Sequence, residues 1–210
     1  VVPSEMPASY PEEALKAQAV CARTYAYRFI LHAGYPQYGA HVDDTTAYQV
    51  YHNCSENVRS TNAVKDTLGL LLTYEGEPAE NFYYSTSCGL GADAGIWMGG
   101  GDIPYLKAKS YQGEGREAPS MDEKTLKELF MTTCEEDWEH EEPWYRWSYQ
   151  VQEESVNGLQ EKLKQCYQKE PEKILTLQAG GYYASEPVGE LGNILDITVD
   201  KRGEGGVVQE

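Results

Sequence analysis

The stretch PSEMPASYPEEALKAQAVCARTYAYR, residues 3–28, decides most of the fold. Ser9 offers a capping hydroxyl, Pro11 suits an early helical position where its missing N–H is not needed, and Glu12 follows Ser9 by three residues, as a capping box requires. Beyond them Leu15, Ala19, Ala22, Ala26 and Phe29 recur at steps of three and four, and Ala14, Ala17, Cys21 and Tyr25 widen the stripe. That period predicts a helix that is capped by Ser9 and runs to about residue 31. Its small residues let a neighbour approach closely, so the helix is expected to be central. Gly34, Pro36 and Gly39 end it in a loop.

Outward from this helix the signals alternate between strand and helix. HVDDTTAYQVY, residues 41–51, has the two-residue alternation of a short strand, and STNAVKDTLG, residues 60–69, reads as a short helix capped by Thr61 or Asn62 and closed by Gly69. In LLLTYEGEPAENFYYSTS, residues 70–87, two apolar or aromatic runs flank Gly76 and Pro78, which predicts a hairpin. The glycine-rich SCGLGADAGIWMGGGD, residues 87–102, lacks a period and is expected to be a long surface loop. SMDEKTLKELFMTT, residues 120–133, predicts a helix burying Leu126, Leu129 and Phe130. An aromatic strand within residues 136–151 follows, then a helix from about 155 with Leu159, Leu163 and Cys166 or Tyr167 on one face. Residues 191–210 read as a strand, a turn and the start of another strand. The expected class is α+β, with a long central N-terminal helix packed with antiparallel strands and hairpins and further helices in the second half. The whole of 1–210 is expected as one domain, or as a core over 1–115 followed by a helical and strand subdomain over 116–210.

Charge narrows the partners. With 34 acidic against 17 basic residues the formal charge is -17, and no cluster of Lys and Arg marks a nucleic-acid backbone site. No run of apolar residues is long enough to span a bilayer. The chain opens on Val1 and stops where a strand begins, so both ends are expected to be truncated. Five widely spaced cysteines do not make a disulfide framework, and Cys21 is expected to be simply packed in its helix.

Several residues could carry chemistry. Glu5 sits between Pro3 and Pro7 just ahead of a helix start, with Met6 as an apolar neighbour, a setting that suits a general acid. Arg23 either pairs structurally or binds an anionic sugar substituent. Ser85, Ser87 and Cys88 precede glycines, and either a hydrolase nucleophile or a groove wall fits that pattern. Trp97 lies in the glycine-rich loop, where a ring is better placed to stack on a sugar than to fill a core. His52, Cys54 and Cys88 could in principle ligate zinc, although the gap between them is long.

VVPSEMPASYPEEALKAQAVCARTYAY, residues 1–27, resembles the signature of the stage II sporulation protein D family, the SpoIID/LytB domain. VDDTTAYQVY, TNAVKDTLGLLLTYEGEP, FYYSTSCG and IPYLKA are similar to that family's later blocks, in order, as far as Ala108. The resemblance implies a peptidoglycan lytic transglycosylase acting on glycan strands freed of stem peptides, with Glu5 as its single catalytic acid and base and a 1,6-anhydro-MurNAc product. By its blocks Tyr84, Ser85 and Ser87 are expected to line the cleft around Glu5, and with Arg23 and the loop residue Trp97 they make up the expected substrate-binding set. A non-catalytic wall-binding module or amidase enhancer is the alternative role associated with the family. Implied partners are peptidoglycan glycan strands and a cell-wall amidase of the sporulation machinery. The implied location is outside the cytoplasmic membrane, reached through an N-terminal anchor missing from this sequence. Some members hold zinc around the DTT segment, but Asp43, Ala47 and Tyr48 cannot rebuild that ligand set, so no metal and no other cofactor is expected.

Overall fold

A buried Leu15 fixes the first packing contact. It lies with Val2, Ala19 and Ala63 in one apolar cluster, and Met6 packs against them. Burying a leucine side chain of this kind contributes about 1.5–3 kcal/mol, so it anchors three helices at once. These are α1 (Val2–Glu5), α2 (Glu12–Leu31) and α3 (Val58–Asp66). The computed structural model describes residues 1–31, 34–45, 47–96, 103–114, 119–150, 158–192 and 197–209. They form two compact units, Val1–Ser85 and Thr86–Glu210.

In the first unit α2 is the long helix that the periodicity predicts, with Leu15, Gln18, Ala19, Ala22 and Thr24 buried along it. Pro11 rather than Ser9 stands at its boundary, where the Pro11 carbonyl accepts from the Leu15 N–H at 3.1 Å. α3 starts earlier than expected. Its cap is Asn57, whose side chain accepts from the Arg59 N–H, not Thr61 or Asn62. Arg59 then donates from its two terminal nitrogens to the carbonyls of Ala8 and Tyr10, at 2.8 and 2.9 Å, and so ties the loop before α2 to α3. The hairpin pairs β1 (Thr73–Tyr74) with β2 (Glu77–Pro78). Its two-residue turn needs positive φ at both positions, and Glu75 at 51° and Gly76 at 89° supply it. The hairpin is held to the long helix because the Leu72 N–H donates to the buried Thr24 hydroxyl at 2.9 Å. An Arg28–Glu80 ion pair at 2.5 Å adds a second tie.

The second unit is built from short antiparallel ladders and two helices. β3 (Leu90–Gly91) pairs with β4 (Lys109–Ser110), and β5 (Thr176–Leu177) with β6 (Tyr183–Ala184). α4 (Glu123–Met131) buries Leu126, as predicted, behind an Asp122 cap. α5 (Leu159–Lys169) turns Leu159, Leu163 and Tyr167 partly inward and leaves Cys166 exposed, which settles the choice between the last two. The expected aromatic strand does not form among the described residues. Residues 134–147 wind through successive turns instead, because the Tyr145 hydroxyl is drawn inward to Asp137 at 2.6 Å while Trp138, Trp144 and Trp147 stay exposed. Gly89, at φ 89°, leaves room for that tyrosine, whose hydroxyl would lie 2.9 Å from any added Cβ. The described part of residues 191–209 has one isolated bridge, Arg202 to Val208, and no strand. The fold is α+β, with a long N-terminal helix packed against strands and hairpins and more helices later in the chain.

Candidate active site around Glu5

Glu5 closes a single helical turn rather than lying in a plain turn. The Val1 carbonyl accepts from the N–H groups of Ser4 and Glu5, at 2.8 and 3.1 Å, and Pro3 sits in the first turn, where no N–H is needed. With Val2 buried, Ser4 and Glu5 reach residues 50–52. The Val50 N–H donates to Glu5 Oε1 at 2.6 Å, and the His52 N–H donates to Ser4 Oγ at 3.2 Å. Donors two residues apart in an extended chain point the same way, so the two side chains grip one edge of the segment. This is why the described part of residues 41–51 makes no strand: the N–H groups of Thr45, Ala47 and Val50 go to side chains, and that of Tyr48 closes a local turn on Thr45.

Three further groups orient the carboxylate. The Tyr83 hydroxyl donates to Glu5 Oε1 at 3.1 Å. Gln49 Nε2 donates at 3.1 Å both to that hydroxyl and to the Ala22 carbonyl in α2. Among the described residues no partner is bonded to Glu5 Oε2. Burial pushes the Tyr83 hydroxyl well above the ordinary tyrosine range; the Gln49 bond opposes this, while the charge and hydrogen bond of Glu5 add to it. Tyr83 is therefore a proton donor in a hydrogen bond at neutral pH.

A recess of about 450 Å³ beside this network is lined by Val1, Pro3, Ser4, Tyr51, Cys54 and Lys65, among others. A second, of about 340 Å³, is lined in part by Asp43, Tyr48, Gln49 and Tyr51. Glu5 lines neither. The candidate site is centred on Glu5 by its hydrogen-bond chemistry, and Ser4 and Gln49 connect it to the two recesses.

The other expected site residues are distributed as follows. Tyr84 and Ser85 are exposed, next in sequence to the inward Tyr83. The guanidinium of Arg23 donates to the carbonyls of Thr67, Leu70 and Val64 and to the Thr67 hydroxyl, so it binds the end of α3. Ser87 belongs to the second unit, is buried, and binds the Glu139 carboxylate through both its N–H and its hydroxyl. Cys88 Sγ lies 3.6 Å from the Leu90 carbonyl and the His140 ring contacts the Asp137 carbonyl, so among the described residues the thiol and this imidazole are not bonded to each other. Trp97 lies outside the described residues. Among the described residues no three His, Cys, Asp or Glu side chains are grouped to hold a metal ion. Sequence reasoning missed Tyr83 and Gln49. The available signal was parity: Asn81 and Tyr83 turn inward while Phe82 and Tyr84 turn out.

Comparison with known proteins follows the same region. Residues 1–74 match the stage II sporulation protein family, SpoIID. The chain is 42% identical over 123 residues to the stage II sporulation protein D of Bacillus amyloliquefaciens, a span of 51% of this chain and 35% of that protein. It is 40% identical over 123 residues, with the same coverage, to the protein of that name in Bacillus subtilis. An amidase enhancer of Bacillus subtilis is 42% identical over 110 residues, covering 52% of this chain and 14% of the enhancer. The likeness to SpoIID proteins thus lies in the N-terminal region, and the chain spans about a third of the length of the sporulation proteins it matches. No solved structure matches. No helix among the described residues is long and apolar enough to cross a membrane.

Proposed function

We propose that this chain is a cell-wall module of the sporulation type that engages peptidoglycan glycan strands outside the cytoplasmic membrane and supports a cell-wall amidase. The observation that carries this reading is the paired likeness of the same region to stage II sporulation proteins D and to an amidase enhancer, at 40% and 42% identity. A module of this kind needs a surface for glycan, and the recesses beside Tyr51, with an exposed tyrosine ring and flanking hydroxyls, suit a neutral sugar.

The Glu5 network favours a second reading, in which the chain itself is a lytic transglycosylase. A positioned carboxyl can protonate the oxygen bridging MurNAc and GlcNAc while positive charge develops at MurNAc C1. As the carboxylate it can then accept the proton of the MurNAc 6-hydroxyl, which closes on C1 to give the 1,6-anhydro sugar. No water and no second carboxylate take part.

One experiment separates the readings. The chain and its Glu5→Gln variant are incubated with peptide-free glycan strands, and separately with intact peptidoglycan and a cell-wall amidase, and products are read by mass spectrometry. Stem-peptide release stimulated equally by parent and variant, without new glycan ends, is expected for the supporting module. Anhydro-muramyl ends formed only by the parent would establish the transglycosylase. Neither stimulation nor cleavage would end both readings.

A further inference from the structure

The hydrogen-bond network around Glu5 has a fixed direction. The Ala22 carbonyl can only accept, so the Gln49 atom facing it must be Nε2, the donor. The same Nε2 donates to the Tyr83 oxygen, which leaves the Tyr83 proton to point at Glu5 Oε1. The other bond to Oε1 comes from the Val50 backbone N–H, which cannot reverse. Oε1 therefore meets two donors, and a proton placed on it would face both.

We propose that Gln49 and Tyr83 are positioning residues for Glu5: with the Val50 N–H they keep Oε1 an acceptor and make Oε2 the one oxygen that gives and takes the proton. The catalytic consequence rests on the transglycosylase reading; the positioning itself does not. In that reaction the Oε2 proton moves to the bridging oxygen, and the C1–O bond breaks with its electron pair going to the GlcNAc hydroxyl. The MurNAc O6–C1 bond forms, and the O6 proton returns to Oε2. The carboxyl is regenerated, and no other reagent is consumed.

Two measurements test this. The first follows the ring Cζ of Tyr83 by NMR through a pH titration of the folded parent and of Glu5→Gln. Tyr83 is expected to stay protonated beyond the exposed tyrosines in the parent and to titrate closer to them in the variant, because burial remains but the charge and hydrogen bond of Glu5 that add to it are gone. Identical titration in both proteins would overturn the proposal whatever the activity. The second measures anhydro-end formation by Tyr83→Phe, Gln49→Ala and the double variant. Each single change is expected to lower kcat about 10- to 100-fold with KM within about twofold, as loss of alignment does. The double variant is expected to be no worse than the worse single, since both act through one chain of bonds. Additive losses, or a rise in KM alone, would overturn the proposal. A parent that forms no anhydro ends would end the transglycosylase reading and leave the Tyr83 titration to decide the positioning.

Discussion

Asp122 holds the start of α4 with both carboxylate oxygens. Oδ1 accepts from the Thr125 N–H at 3.0 Å and Oδ2 from the Thr125 hydroxyl at 2.7 Å. These bonds, the side-chain bond to Thr125 first, lower its pKa from the ordinary 3.8 to about 2. A carboxyl depressed in the folded state stabilises the fold fully above its unfolded pKa and loses that contribution as pH falls through the folded one. The gap in stability between the parent and Asp122→Ala is therefore expected to be constant above about pH 4 and to shrink between about pH 4 and pH 2. Urea denaturation at a series of pH values reads it, and a gap that does not change across that window would remove the capping account. The same residue-scale view explains Cys21, whose thiol is pushed up by burial and is packed in α2 rather than poised to react.

Between elements, the guanidinium of Arg23 joins α2 to the end of α3, where its partners include three carbonyls. Arg23→Ala would leave those acceptors without their shared cation, and the expected loss is about 2–4 kcal/mol in chemical denaturation. Arg23→Lys is expected to recover less than half of it, because one ammonium cannot reproduce the planar fork. A loss below about 0.5 kcal/mol for Arg23→Ala would mean that the bonds are replaced by solvent. The contrast between these joints and the long helix shows what the sequence makes legible. α2 could be read because its apolar period is local, and the hairpin because Gly76 marks its turn. The segment at residues 47–51 could not, because its Val50 N–H is taken by Glu5, 45 residues away, and its Ala47 and Tyr48 N–H groups turn back to Thr45. Local alternation predicts a strand only when the backbone groups are left for another strand. Asn57 was passed over as the cap of α3 because Thr61 and Asn62 carry the same chemistry a turn later. In the candidate site Glu5 stands out by its prolines and its motif, whereas Gln49 and Tyr83 are ordinary residues until the fold joins them.

For the whole molecule the dominant property is charge: -17 at pH 7, with a sequence pI of about 4.6. Such a chain is repelled by other polyanions, and the repulsion reaches further at low salt, since the screening length falls from about 30 Å at 0.01 M to about 8 Å at 0.15 M. If, as proposed, this chain engages a wall that carries neutral sugars together with anionic groups, the two contributions to binding oppose each other. If recognition occurs through the neutral sugar faces, as proposed above, then salt should help rather than hinder. Binding to wall preparations that retain anionic polymers is expected to rise several-fold between these two ionic strengths, while binding to stripped glycan strands stays nearly constant. Co-sedimentation at the two salt concentrations distinguishes the cases. Binding that weakens with salt on both materials would mean that a local cationic face overrides the net charge, and Lys65, which lines the larger recess, would be the first residue to replace.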